Sequence, residues 1–317
     1  MGLFSNNKKL CPICGSPTPR LLATCIEDQP LCKACAAKID LPSGSLDQMS
    51  LDTFRHYLVV YNENAPLRES FNQTFQFSFG FFSGGILLDT EHRLLRLKYG
   101  DGAFAFTPEN ITSFRILEDG RELMEGSAAG LILYRSEVPE MLAKLAPQIA
   151  AFRLQKREYE HLEQMDRLIE QRGGKPLETC RTSPSFDVPA PVQKFTLEIK
   201  LKHPFWGAFS DQIGAPSLSR DNPDADEYQR EYAQKVTELH TLAVNMMKVI
   251  NPSAPERRNV DRPGTKRAEA APAAPAAPAA PAQGDTVSEL KRYKELLDAG
   301  VLTEEEFTAK KKQLLGI

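Results

Sequence analysis

The sequence predicts an α+β protein assembled from unlike pieces. Three observations carry that expectation: paired cysteines in the first forty residues, aromatic residues on alternate positions from about 70, and long stretches with helical spacing on either side of a strand at 195–202. A chain of 317 residues is longer than one ordinary domain and suits two or three modules. Its 41% hydrophobic and 26% charged residues are usual for a soluble globular protein. The net charge of -3 and pI near 6.0 create no field that would draw nucleic acid to the whole chain.

The first forty residues are expected to form a zinc-ribbon-like module. Cys11-Pro-Ile-Cys14-Gly15 and Cys32-Lys-Ala-Cys35 make the pattern C-x2-C-x17-C-x2-C. Two residues between cysteines let one tight turn aim both sulfurs at the same ion, and four thiolates close a tetrahedron around a structural Zn2+. Gly15 relaxes the backbone behind the first pair. Ala36-Ala37-Lys38-Ile39 favours a helix after the second pair, which points to a treble-clef arrangement. A redox dithiol is the rival, but it calls for one C-x-x-C beside a βαβ pattern, and none is present. Cys25 and Cys180 have no second ligand at useful spacing, and Cys25 is expected to be a buried apolar thiol.

Residues 41–251 are expected to be an antiparallel β-rich middle domain with long helices. Ser50 should cap a helix carrying Leu51, Phe54, Leu58 and Val59, ended by Asn62 and Asn64 before Pro66. Phe71, Phe75, Phe77, Phe79 and Phe81 then alternate with polar residues, the period of a strand with one aromatic face. Further strands are expected at Ile86–Leu88, Leu94–Leu97, Ala103–Phe106 and Ile111–Leu117, separated by turn residues, as a meander. A helix should run from Ser136 to Gln171, kinked or divided at Pro147, its charge-rich second half projecting. Phe195, Leu197, Ile199 and Leu201 mark another strand. A polar loop should follow, then a helix from about Asp226 to Ile250 with Tyr228, Tyr232, Val236, Leu239, Leu242, Met246 and Val249 on its buried stripe.

From 252 to 285 the sequence turns to proline, alanine and mixed charge, with Ala-Ala-Pro repeated between Ala270 and Pro281. Such a segment buries nothing and is expected to be a disordered tether. Residues 286–317 regain helical pattern: one helix stops at Gly300, and a second opens on the capping box Thr303-Glu304-Glu305-Glu306. Leu290, Tyr293, Leu297, Phe307 and Leu314 give this hairpin more apolar surface than it can bury alone, so oligomerisation or docking is expected.

Leu290-Lys-Arg-Tyr-Lys-Glu-Leu-Leu-Asp-Ala-Gly-Val-Leu-Thr-Glu-Glu-Glu-Phe307 and Lys310-Lys-Lys-Gln-Leu-Leu315 resemble the SHOCT (short C-terminal) domain of bacterial proteins. That resemblance implies an oligomerisation or interaction appendage without catalytic residues. The wider layout is similar to bacterial proteins that open with Met-Gly-Leu-Phe and a cysteine-rich, zinc-ribbon-like domain of unknown function, continue through a β-rich middle, and close with SHOCT. A sheet followed by one packing helix, as in 70–250, resembles pleckstrin-homology-like folds, an analogy that assigns no ligand.

No P-loop, dinucleotide glycine pattern, G-x-S-x-G or H-E-x-x-H is present. His56, His92, His161, His203 and His240 are scattered and read as surface or packing residues. The sequons at Asn72 and Asn110 carry no meaning in a cytoplasmic protein, which is the expected location: the N-terminus lacks a secretory apolar run, and Phe75–Leu88 is too polar to span a bilayer. The expected function is therefore a non-enzymatic zinc-binding scaffold or adaptor, whose partner at 286–317 is a second copy or another protein. The alternatives are a nucleic-acid-binding zinc protein and a peripheral membrane or stress-response protein that binds lipid through the middle domain.

Overall fold

The computed structural model describes residues 10–80, 84–98, 102–175 and 182–263. The chain divides into two units, Met1–Pro263 and Gly264–Ile317. Phe81, Cys180 and everything from 264 onward, including Leu290, Tyr293, Leu297, Phe307 and Leu314, lie outside the described residues.

The first unit is mixed α+β. A short hairpin of β1 (Cys25–Ile26) and β2 (Gln29–Pro30) leads into α1 (Lys33–Ala36). Two consecutive helices follow, α2 (Leu51–Glu63) and α3 (Ala65–Ser70). Ser50 caps α2 through its hydroxyl, which accepts the Thr53 N–H at 3.1 Å, and Phe54 and Leu58 are buried as the spacing requires. Strands β3 (Phe75–Ser78), β4 (Gly85–Asp89) and β5 (Leu94–Arg96) form an antiparallel three-stranded sheet. Ala103–Phe106, expected as a strand, adds only an isolated bridge, Phe106 to Leu95, and its four side chains are all buried.

The second sheet combines β6 (Ile111–Glu118), β7 (Arg121–Ser127), β8 (Gly130–Tyr134), β9 (Lys194–His203), β10 (Trp206–Gly214) and β11 (Glu256–Val260) in the order β10-β9-β6-β7-β8-β11. Between β8 and β9 runs α4 (Val138–Gln171), and between β10 and β11 runs α5 (Ala225–Ile250). Phe114 and Gly126 face each other across β6 and β7. A Cβ on Gly126 would lie 2.1 Å from the Phe114 ring, so glycine is what lets that ring cross the sheet. The α5 stripe of Tyr228, Tyr232, Leu239, Leu242, Ala243, Met246 and Val249 is buried in the common core, where Tyr232 stacks on Phe195.

Several expectations change here. The polar loop expected after 202 contains β10, whose end residues Trp206 and Ile213 are buried while most of the residues between them face out. Pro147 neither ends nor divides α4. It lies on the exposed side of the helix, where the carbonyl left without a donor can be solvated. From Arg157 onward no side chain of α4 is buried.

The folded unit also does not stop at 251. After α5 the chain returns as β11, which pairs in parallel with β8, so the sheet is not wholly antiparallel. Gly130 permits this return: a Cβ there would meet the Pro255 carbonyl oxygen at 2.5 Å. Arg262 ends the strap. Its guanidinium pairs with the buried carboxylate of Glu118 and donates to the Glu122 carbonyl at 2.8 Å, while Glu118 also accepts from Ser136 and Tyr232. Residues 252–262, expected to belong to a disordered tether, are therefore part of the folded unit, and the rest of that expected tether lies outside the described residues. The cysteine module is likewise no separate domain, for Cys11, Ile26, Leu31, Cys32, Cys35 and Leu41 belong to the same core as Tyr57 and Phe104.

Removing one partner of a buried, hydrogen-bonded ion pair leaves an uncompensated charge, at a cost of about 3–5 kcal/mol. Arg262→Ala, or a chain cut after Asn251, should lower the melting temperature by on the order of 10 °C in thermal unfolding. A melting temperature within experimental scatter of the parent would mean that the strap is dispensable.

A second expectation concerns acid. Asp89 is fully buried. Burial raises its carboxyl pKa, but hydrogen bonds from the His92 and Asn72 N–H groups and the His92 ring outweigh this and hold it below the usual carboxylate range. A depressed folded-state pKa contributes stability above the unfolded value of about 4 and loses it as pH falls toward the folded value. Asp89→Asn should therefore destabilise the protein at neutral pH and flatten the acid limb of its stability-versus-pH curve in urea titrations.

Candidate metal centre

The four expected cysteines come together. Cys11 opens a tight turn in which its N–H donates to the Ser16 carbonyl and its own carbonyl accepts from Gly15, both at 2.9 Å. Gly15 sits at φ 72°, the left-handed conformation this turn demands. Leu10 and Pro17 bridge at the base of the turn. On the other side Cys32 is the N-cap of α1, and its sulfur accepts the Cys35 N–H at 3.4 Å. One α-turn thus presents Cys32 and Cys35 to the same point, while β1 and β2 carry the chain across from the first pair.

All four sulfurs lie within 4.8 Å of one another, with Cys14 to Cys32 at 3.4 Å and Cys14 to Cys35 at 3.6 Å. A zinc tetrathiolate with bonds of about 2.3 Å has sulfur–sulfur edges of about 3.8 Å. The donor set and its spread therefore fit one tetrahedral ion. Cys11, Cys32 and Cys35 are buried and Cys14 is exposed. Among the described residues no other group of three or more His, Cys, Asp or Glu side chains comes together in this way.

The metal-free thiols already show uneven charge preference. Hydrogen bonds from the Ser16 side chain and N–H, then from Cys32, draw Cys14 down to about 6. Burial, then hydrogen bonds shared with Cys32, Cys14 and Cys11, push Cys35 far above the usual thiol range. For Cys11 burial pulls upward, but backbone N–H groups of Cys32, Cys14 and Ile13 prevail and lower it.

Cys25 is exposed, not buried: the two-residue strand turns Ile26 inward, which sends Cys25 to solvent. His203 packs among Phe104 and Phe106, its pKa lowered by burial, and His56 lies against Phe205. His92 and His240 pair with Asp89 and Glu256. None of these contacts brings a histidine to the sulfurs. Sequence reasoning passed over Asp40, Glu118 and the exposed leucines 10, 21 and 22. The two buried acids carried no signal, since a carboxylate's burial follows from tertiary packing alone.

These features define a tetracysteine cluster that could hold a metal ion, built into an α+β domain. Residues 288–315 match the family described as the Short C-terminal domain, SHOCT. No curated protein and no solved structure matches the chain. No helix among the described residues is long and apolar enough to cross a membrane.

Purified protein should contain about one metal ion per chain. Cys11→Ser and Cys35→Ser should each abolish it and lower the melting temperature, by elemental analysis and thermal unfolding. Thiols must shed protons to bind as thiolates, so metal should be released as pH falls. Full metal retention in either variant would refute the four-sulfur site.

Proposed function

We propose that the protein is a non-enzymatic, zinc-binding adaptor of the cytoplasm that self-associates, or docks another protein, through residues 286–317. The convergence of four sulfurs, with no further donor grouped with them among the described residues, is the observation that carries the first half. Four thiolates complete a tetrahedron and leave no position for a substrate water, so the zinc supplies folding energy and not Lewis-acid chemistry. A turn holding two cysteines, a hairpin, and a helix holding the other two supports the treble-clef reading of this module. The sheet closed by α5 supports a pleckstrin-homology-like reading of the middle domain, with β11 as an addition to it.

The second half rests on the match at 288–315 and on the apolar residues within it. Leu290, Tyr293, Leu297, Phe307 and Leu314 exceed what a thirty-residue hairpin covers, and fully burying each is worth about 1.5–3 kcal/mol. Shared between copies, such side chains offset the lost freedom that opposes association. Light scattering should report a multimer for the full chain and a smaller species after deletion of 286–317. The pair Leu297→Asp with Phe307→Asp should reproduce the deletion. If full and shortened chains are both monomers, self-association is wrong and the hairpin serves a different protein.

A further inference from the structure

The loop from Pro17 to Thr24 has features that the fold itself does not use. Leu21 is 84% and Leu22 103% exposed, and Leu10, bridged to Pro17 at the base of the loop, is 60% exposed. Leu22 is also held at φ 54°, a left-handed conformation that crowds its Cβ against the following carbonyl. The other described non-glycine residues with positive φ are Glu27, Asp28, Arg93, Asp119 and Asn259, all polar. Single exposed leucines are ordinary. Two adjacent ones, the second on an unfavourable backbone, occupy a position that Asn or Gly would fill more comfortably.

The charge pattern points the same way. Arg20 is exposed and is the only charged residue between Leu10 and Ile26. Among the described residues it makes neither an ion pair nor a hydrogen bond. Both ends of the loop are fixed: the Cys11–Ser16 turn holds the start, and the Thr24 carbonyl accepts the Leu31 N–H at 2.8 Å. A cation and two leucines are therefore presented outward on a braced support.

We propose that this loop inserts into a phospholipid surface, with Leu21 and Leu22 entering the acyl boundary and Arg20 meeting a lipid phosphate. A protein groove is the competing receptor. Stable protein interfaces bury about 1,200–2,000 Å² and surround their anchors with further contact surface. Here the two most exposed leucines among the described residues are consecutive in the middle of one short loop that follows Ser16 and also carries Thr18 and Thr24, with Leu10 at its base. A fluid interface receives so small an apolar group without a matching cavity, and its phosphates suit a lone guanidinium. Each leucine fully buried is worth about tenfold to a hundredfold in affinity. One chain would attach reversibly, and several copies, if the self-association proposed above holds, would attach far more firmly.

The test uses the full, metal-loaded chain in co-sedimentation with phosphatidylcholine vesicles, with and without phosphatidylserine. The protein should pellet with vesicles, more strongly when phosphatidylserine is present. Leu21→Ser with Leu22→Ser should weaken binding by at least about tenfold on both compositions. Arg20→Ala should reduce mainly the phosphatidylserine-dependent part. Metal content and melting temperature should stay at parental values, since these side chains touch no core. If the double variant loses its metal, Leu22→Asn decides instead, because Asn suits the left-handed conformation and should keep the fold while losing vesicle binding. A parent chain that stays in the supernatant with every vesicle, or variants that pellet as the parent does, would overturn the proposal. The loop would then be left to a protein groove.

Discussion

The buried carboxylate of Asp40 is the point on which the cysteine module and the rest of the unit depend. Only 4% of this residue is exposed, so its charge has lost water and must be met by protein. One oxygen accepts the Phe104 N–H at 2.7 Å, and the other lies 3.3 Å from the Lys98 ammonium. The main chain of the same residue is used as fully. Its N–H donates to the Tyr57 hydroxyl at 2.7 Å, its carbonyl accepts the Trp206 indole N–H at 3.1 Å, and the Tyr57 hydroxyl donates onward to the Lys38 carbonyl. A single position just past the second cysteine pair thus joins α2, the 103–106 segment and β10. Phe54, Tyr57, Tyr61, Phe104 and Phe205 fill the space around this node with stacked, tilted and edge-on ring contacts, so a polar anchor sits inside an aromatic wall.

Arginines solve the complementary problem at the helix ends, where the last carbonyls lack intrahelical donors. Arg68 donates to the Tyr61 carbonyl in the last turn of α2 and stacks 3.6 Å from the Tyr61 ring centroid. Arg96 donates to the Arg68 carbonyl of α3 and lies over Phe71. Arg93 reaches from the turn before β5 to the carbonyls of Val249 and Ile250 that end α5. Each cation also faces the negative pole of its helix. The three-stranded sheet is pinned to the helices by these guanidinium contacts as well as by apolar burial. This is why the cleft lined by Arg68 and Arg96 reads as architecture and not as an anion site.

Much of this was legible in the sequence wherever a local pattern mapped onto a local structure. The C-x2-C pairs located the cysteine cluster because ligand spacing is fixed by one turn of backbone, and Ser50 located the start of α2 because a cap is a four-residue event. The stripe from Tyr228 to Val249 needed only helical period. What escaped were features set by distant partners. Strand β10 has polar residues through its middle and earns its place by pairing with β9, and β11 reads as tether because Glu256, Arg257 and Arg258 are charged, until Arg262 finds Glu118 across 144 residues of sequence. Cys25 was misjudged because a two-residue strand offers no alternation to read.

The placement of Asp40 gives the metal centre a reach beyond its own module. Helix α1 has four residues, far fewer than an isolated helix needs to persist in water, and its buried contacts run through Cys35. Without an ion to hold Cys32 and Cys35 against Cys11 and Cys14, little would fix the path of the chain between Lys33 and Ile39. That path sets where Lys38 and Asp40 meet Tyr57. A bound metal would therefore stabilise two things at once, the local turn geometry and the docking of that turn onto α2 and β10. Its contribution would appear as stability of the whole first unit because the unit shares one core. A site coupled in this manner suits a structural ion, for an ion exchanged during turnover would loosen the clamp each time it left.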